Sequence, residues 1–432
     1  MQLPEHRQPV AASPVAHPHH HGLSYVEFIG LVAMMMALTA LSIDIMLPAL
    51  PMIGDALGVS DPNDRQIIII SYVLGFSVGQ LAYGRISDRY GRKPVLMFGL
   101  AVFVAGSLVA SLSSSFLLLL AARTVQGLGA AAPRVIAIAI VRDLYAGRQM
   151  ARVMSFAMSV FIIIPVLAPS LGQGLLEVGT WRWIFDALLL GGLILAAWAG
   201  LRLPETRHQE DATHPLSLGA SLKLAIETPQ TIGYALGGGF MFGCLMSYVS
   251  SAQQVFVDVF HLGADFPIAF GAIASLLAVA ALTNAYLVEH LGMRRVSHAA
   301  LTGFLAVSLM LTAAAGAGSA TLPVFIALMG LLFFAFGLIA PNFNALAMEP
   351  QGHNAGMASS LVGFTSTGAG AVFGGIVGHF FDGSVLPLAL GFLFLSLAAF
   401  ATVLWVEGLQ GLYRPLASSQ GGILHTSCCR HA

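Results

Sequence analysis

Stretches of about twenty apolar residues recur roughly twelve times along this chain of 432 residues, a pattern that few folds can satisfy. A helix rises about 1.5 Å per residue, so about 20 residues cross a hydrocarbon core of about 30 Å. Lipid offers no hydrogen-bond partners, so each crossing segment must satisfy its own backbone, and a helix does so. The segments fall near 25–48, 66–87, 94–112, 115–141, 150–176, 183–203, 229–257, 266–290, 296–317, 320–347, 355–381 and 384–408. They predict an all-α membrane protein with twelve transmembrane helices. Apolar residues make up 57% of the chain and charged residues only 9%, too little charge to solvate the surface of a soluble protein this long. The formal net charge of −1 gives no reason to expect a nucleic-acid partner.

The longest polar interruption runs over about 204–228 and carries Pro204, Glu205, Arg207, Glu210, Asp211, Pro215 and Lys223. It divides the chain into an N-terminal six-helix bundle (23–203) and a C-terminal one (229–410), joined by a linker. The tail 1–22 holds four prolines and His17, His19, His20 and His21. It lacks the apolar core of a cleavable signal and is expected to be disordered, its histidines solvated rather than metal-bound. Cys244 lies in an apolar segment, and Cys428 and Cys429 lie in the tail 411–432. This is neither a disulfide framework nor a metal-ligand pattern, and no metal or other cofactor is expected. An inside amino terminus puts Arg7, the basic run 85–93, Arg142, Arg148, Arg152, Arg202, Arg207, Lys223, Arg294, Arg295, Arg414 and Arg430 in the cytoplasm, with Arg65 and Arg182 outside. The positive-inside rule therefore places both termini in the cytoplasm.

The basic run reads GRISDRYGRKP, from Gly84 to Pro94. Gly84, Asp88, Arg89, Gly91, Arg92 and Lys93 stand in the order G-x-x-x-D-R-x-G-R-K. This resembles the signature loop between the second and third helices of the major facilitator superfamily. Asp88 is expected to accept hydrogen bonds from the amino end of a neighbouring helix, where the dipole favours an anion. Arg89 and Arg92 are expected to pair with acids such as Asp143, a conformational gate whose contacts, broken and remade, latch the outward-facing state. A weaker echo, AYLVEHLGMRR, follows the eighth segment, with Glu289 opposite Asp88, Gly292 opposite Gly91 and Arg294 opposite Lys93. The echo supports two parallel repeats that rock about a site near the bilayer midplane.

Ionisable groups inside a span cost about 2.5–3.5 kcal/mol at helix centre on insertion scales, so each is a functional candidate. Asp44, Arg123 and Arg134 stand out, with Glu27 near the end of the first helix. Asp44 and Arg123 are expected at similar depth. Burial and a neighbouring cation pull a carboxyl in opposite directions, so the pair can couple protons or form a fixed salt bridge. Arg123 and Arg134 are eleven residues apart, about three turns, with Gln126 and Ala130 on the same stripe, which suits a cavity wall. The run RTVQGLGAAAPR resembles the R-x-x-Q-G-x-G-A-A motif of facilitator-type drug exporters, which implies a part for Arg123 in proton transfer. Arg134 can contact substrate or tie its helix to a neighbour. Pro165 and Pro169 are expected to kink the fifth helix, and FIIIPVLAPSLGQGL partly resembles the antiporter motif G-x-x-x-G-P-x-x-G-G. Ala168 and Gln173 depart from it. Met34, Met35, Met36 and Met46 suit an adaptable cavity or simple packing. Asn284, Asn342 and Asn344 suit cavity lining or helix–helix hydrogen bonds. The WRWIF run at 181–185 is expected at the membrane interface.

SIDIMLPALP, the signature loop, RTVQGLGAAAPR with IVRDLY, WRWIF and HNAGMASSLVG together resemble the Bcr/CflA group of bacterial drug:proton antiporters, over about 25–410. The resemblance implies a monomer in the bacterial inner membrane, surrounded by lipid. It would export small-molecule drugs or metabolites in exchange for protons, with Arg123 in proton transfer; the residues themselves make Asp44 its expected coupling partner and Met34, Gln126, Arg134 and Asn342 candidates to line the substrate cavity. Export of an endogenous metabolite and a non-transporting sensor with the same fold remain alternatives. No nucleophile–base motif, phosphate loop or metal spacing points to an enzyme.

Overall fold

The computed structural model describes residues 23–145, 147–207 and 218–411. The histidine run, the cysteine pair and part of the linker lie outside them. The first half contains α1 (Tyr25–Asp44), α2 (Leu50–Ala56), α3 (Ile67–Tyr90), α4 (Arg92–Ser111), α5 (Phe116–Leu144), α6 (Gly147–Val178) and α7 (Arg182–Arg202). A short α8 (Leu218–Glu227) precedes the second half, α9 (Pro229–Gln253), α10 (Phe266–Leu291), α11 (Met293–Gly316), α12 (Leu322–Met348), α13 (Ala355–His379) and α14 (Leu386–Gly411). Twelve helical spans among the described residues are long and apolar enough to cross a membrane. Leu117, Leu201, Leu282 and Ile268 lie exposed on the outer surface, where lipid tails replace water.

Local chemistry sets the ends. Ser24 caps α1 by accepting from the Glu27 amide (3.1 Å), and Ser115 caps α5 by accepting from the Leu118 amide (3.3 Å). The first span is not one helix. α1 stops at Asp44, a 3₁₀ turn follows over Leu47–Ala49 with Pro48 in its first turn, and α2 restarts with Pro51 in its own. Proline lacks the N–H that a continuing helix needs but fits a first turn. By contrast, α6 runs as one helix with Pro165 and Pro169 inside it. α5 and α12 likewise hold Pro133 and Pro341, which the sequence reading did not single out. Within the described part of the linker, α8 packs on α9 and α13.

Each bundle is drawn tight by small residues. A Cβ on Gly127 of α5 would overlap the Tyr72 carbonyl of α3, and one on Gly75 would overlap the Thr124 carbonyl of α5. The two backbones therefore touch. The repeat echo has a backbone counterpart. Gly91 joins α3 to α4 at φ 100°, ψ 158°, and Gly292 joins α10 to α11 at φ 81°, ψ 154°. Both are in the positive-φ region that glycine adopts without strain. The halves meet where α3 lies on α13 and α6 lies on α10.

Candidate functional site

Asp44 ends α1 where the helix gives way to the 3₁₀ turn. Its residue is 5% exposed. It has no hydrogen-bond or ion-pair partner among the described residues. The 3₁₀ turn Leu47–Ala49 just after it lies against α9, so Asp44 sits near the place where the two halves meet. The Tyr248 hydroxyl is itself buried with no partner among the described residues. It projects from a ring stack with Phe270 (5.2 Å) and Phe333 (4.8 Å).

Arg123 does not pair with Asp44, contrary to the sequence expectation. It is fully enclosed and spends its donors elsewhere. Nε reaches the Ile68 carbonyl (3.4 Å), one terminal nitrogen the Ser42 carbonyl (2.9 Å), and the other the Gln126 side chain. Its guanidinium lies 4.4 Å from the Tyr72 ring centre and 5.9 Å from that of Phe185. One side chain thus ties α1, α3, α5 and α7 together. The bond to Ser42, two residues before Asp44, fixes the end of α1. Gln126, expected in the cavity wall, is fully buried and donates to Ser107 of α4 (2.7 Å). Asn342 is also inside its bundle, donating to Asn284 across α10 and α12 (2.7 Å), and Met34 packs on the core. Of the four expected cavity residues, Arg134 lines the cleft described below.

The signature loop does form an ion-pair cluster. Arg92 donates to Asp143 of α5 (2.8 Å), Asp88 (2.5 Å) and Ser87 (2.8 Å). Arg89 lies over the Tyr90 ring at 5.4 Å. The anion at the amino end of α4, however, is not Asp88. It is Glu205, just past α7, whose carboxylate accepts from the amides of Arg92 (2.8 Å), Lys93 (3.1 Å), Thr206 (3.1 Å) and Arg207 (3.0 Å). By sequence alone Glu205 is one polar residue of the linker among several. Burial works against its ionisation, but these four N–H groups outweigh it and hold the carboxyl below its usual range. A carboxyl held low in the folded state stabilises fully above its unfolded pKa of about 4.3. That contribution is lost as the pH falls through the folded value. Glu205→Gln should lower the melting temperature at neutral pH and flatten its decline in acid, as thermal unfolding over a pH series would show.

An open cleft lies beside this loop. Gln80, Asp88 and Arg92, then Arg134 and Arg142 of α5, and Ser359 of α13 line a small open cleft of about 110 Å³, together with Gly84, whose α-carbon faces Ser360. Gln80 donates to Thr367 of α13 (3.0 Å) and bridges the halves at this level. At the opposite end the halves are sewn together. Asn63 donates to the carbonyls of His379 (3.0 Å) and Phe381 (2.8 Å), Gln254 donates to Asn63 (2.7 Å), and Gln66 reaches both Gln254 and the Gly378 carbonyl (3.1 Å). Gln254 opens the π-helical turn Gln254–Val259 that continues α9, and such turns often mark functional positions. A Cβ on Gly378 would overlap the Gln66 side chain. Gly378→Ala should therefore part this end. A loss of about 1–2 kcal/mol corresponds to roughly 5–30-fold in a two-state population. Pulsed EPR distances between labels on Ser60→Cys and Ser319→Cys, with Cys428 and Cys429 replaced, would show a longer component.

The second half holds a polar network that the sequence reading missed. Arg294 donates to Glu407 (2.9 Å) and Glu349 (2.8 Å), Tyr234 donates to Glu407 (2.8 Å), and His298 Nε2 lies 3.0 Å from the Tyr234 hydroxyl. Its members lie on α9, α11, α14 and the residue just past α12, so no local spacing could have revealed it. It mirrors the Arg92 cluster of the first half.

The sequence model of the Major Facilitator Superfamily matches residues 32–375. This chain belongs to that superfamily. The facilitator is 32% identical to an uncharacterised MFS-type transporter, YdgK, of Bacillus subtilis over 361 residues, covering 81% of this chain and 87% of that protein. It is 30% identical to the bicyclomycin resistance protein homologue of Haemophilus influenzae, covering 82% and 88%. It is 38% identical to the multidrug resistance protein MdtL of Escherichia coli, over 38% of this chain and 42% of that protein. Among solved structures, a partially occluded inward-open form of the xylose transporter XylE from E. coli superposes with a TM-score of 0.68 at 12% identity, covering 88% of this chain and 97% of that one. That likeness is one of fold. Transport of small molecules, rather than enzymatic catalysis, is the activity of the superfamily to which the facilitator belongs, and the relatives named above are bacterial.

Proposed function

We propose that this facilitator exports small molecules, drugs among them, from the bacterial cytoplasm in exchange for protons. The observation that carries the reading is Asp44, a carboxyl buried between the halves with no polar partner among the described residues. An ionised carboxylate in such a place is costly, so the closed arrangement accommodates the proton-bearing form better. Opening to water reverses that preference, and a group that gains and loses a proton with cavity opening couples proton flow to the cycle. The resistance proteins among its relatives support a drug as cargo.

The arginines around Gly91 argue that this end faces the cytoplasm, as do both termini. The sewn Asn63 end then faces outward, and the structure corresponds to an inward-facing stage. In the alternate stage the cleft closes, and Asp88 comes to the start of α13 while the Asn63 end parts. Arg123 acts on Asp44 through Ser42, by fixing the end of α1, rather than as its ion-pair partner. A membrane potential contributes about 2.3 kcal/mol per charge per 100 mV, which sustains a useful outward gradient for one net charge moved inward. The test is proton movement in proteoliposomes on adding bicyclomycin, chloramphenicol or ethidium. A drug-dependent proton flux is expected. Drug movement that is indifferent to the proton gradient would sink the antiport reading.

A further inference from the structure

The corner where α3 turns into α4 holds more positive charge than its acids answer. Arg89 at the end of α3, Lys93 at the start of α4 and Arg207 just past α7 come together there. The amides of Lys93 and Arg207 donate to the same Glu205 carboxylate (3.1 and 3.0 Å), and the Arg207 guanidinium donates to the Arg89 carbonyl (2.8 Å). None of these three side chains forms an ion pair among the described residues. Glu205 is the one carboxylate among them, and Arg92 next door is matched by Asp88 and Asp143. At the Gly292 turn of the second half, by contrast, Arg294 lies between two carboxylates, Glu349 and Glu407. Apolar side chains flank the charge. Ile86 and Tyr90 lie one turn apart on α3, 40% and 63% exposed, and Arg89 lies 5.4 Å from the Tyr90 ring centre. Met97 of α4 adjoins Gly200 of α7, and the next residue of each helix, Phe98 and Leu201, is 64% and 84% exposed.

We propose that this corner is a docking surface for an anionic phospholipid of the phosphatidylglycerol type. The phosphate lies among Arg89, Lys93 and Arg207, and the acyl chains run along Tyr90, Phe98 and Leu201. A guanidinium fork matches phosphate oxygens with paired hydrogen bonds, and a lysine adds a mobile point charge. Tyrosine favours the level of the headgroups, where its ring is apolar and its hydroxyl is wet. Each cation beside an anionic lipid surface contributes about five-fold in binding. The apolar flank continues into the membrane-facing surface of α3, α4 and α7, so the partner is one that lies in the bilayer. The phosphate cancels the mutual repulsion of three cations that converge from α3, α4 and the chain after α7. It therefore firms the Gly91 turn, which carries the Arg92 ion-pair cluster. Assignment to the cytoplasmic leaflet rests on the orientation argued above, but the binding chemistry does not.

The test uses purified full-length protein in mixed micelles with equal amounts of dioleoylphosphatidylglycerol and dioleoylphosphatidylcholine, which share their acyl chains. Retained lipid is counted by native mass spectrometry at low salt, where exposed charges act most strongly. Wild type should retain phosphatidylglycerol over phosphatidylcholine by at least about ten-fold. Arg89→Gln combined with Lys93→Gln should cut that preference at least about five-fold. Arg152→Gln combined with Lys223→Gln removes the same charge from exposed positions of α6 and α8 and should keep the preference. If the first pair aggregates, Lys93→Gln alone should cut the preference about three-fold, since its side chain has no bond to lose among the described residues. Equal retention of the two lipids by wild type, or a preference that survives the change of Arg89 and Lys93, overturns the docking surface. An equal fall in both double variants shows a diffuse field and overturns it as well. Displacement of the lipid by millimolar glycerol 1-phosphate assigns the corner to free phosphate and overturns the lipid assignment. Proton-coupled drug export without the lipid preference would overturn this surface and leave the export reading standing. A lipid preference without proton-coupled export would do the reverse.

Discussion

Asp44→Asn is expected to reduce drug-dependent proton flux in proteoliposomes to the level of protein-free vesicles, while the protein folds and binds drug. The amide has the shape of the carboxyl but cannot take up or release a proton. It also removes the cost of burying an unpartnered carboxylate, so the melting temperature of the variant should hold or rise. That combination separates a coupling group from a structural one. A residue that merely held helices together would lower both flux and stability. Drug exchange in the absence of a proton gradient should survive the substitution, because the cavity keeps its shape. Full proton-coupled transport by Asp44→Asn would remove Asp44 from the mechanism. Tyr248 belongs to the same argument, since its buried hydroxyl has no partner among the described residues. Tyr248→Phe costs no hydrogen bond in this stage, and any transport defect it shows would point to a bond made elsewhere in the cycle.

Arg123→Ala should be the most destabilising single change in the first half. It deletes bonds to the Ser42 and Ile68 carbonyls and to Gln126 and takes a cation from the Tyr72 and Phe185 rings. Bonds to charged groups are worth about 1.5–3 kcal/mol each, and their buried acceptors would be left unsatisfied. A loss of about 3 kcal/mol or more is expected, seen as a large fall in melting temperature and in the yield of monodisperse protein. Arg123→Lys should rescue little. A lysine ammonium keeps the charge but not the fork that reaches three separate acceptors, nor the flat face that stacks on Tyr72. If Arg123→Ala folds normally and loses only coupling, then Arg123 acts on the proton directly rather than through the end of α1.

The sequence by itself determined the twelve spans, whose limits fall within a few residues of the helices over most of the chain. It also determined the glycine turns at Gly91 and Gly292 and the pairing of Arg92 with Asp143. These are local or nearly local facts, set by a hydrocarbon thickness, by backbone freedom at glycine and by an ion pair between segments that charge places on the same face. Tertiary structure alone decided which partner each buried polar group takes. Similar depth put Asp44 and Arg123 together on paper, but depth along an axis says nothing of rotation about it. In the folded bundle Arg123 turns to the Ser42 and Ile68 carbonyls, and Asp44 is left at the seam between the halves. Gln126 and Asn342 read as cavity residues because a polar group inside a span has two solutions, water or a neighbouring helix. Their neighbours, Ser107 and Asn284, become adjacent only when α4 meets α5 and α10 meets α12. Glu205 reaches the start of α4 from more than a hundred residues away. Such choices depend on which helices touch and at what angle, and close packing of small residues fixes those contacts across the whole bundle rather than along any one segment.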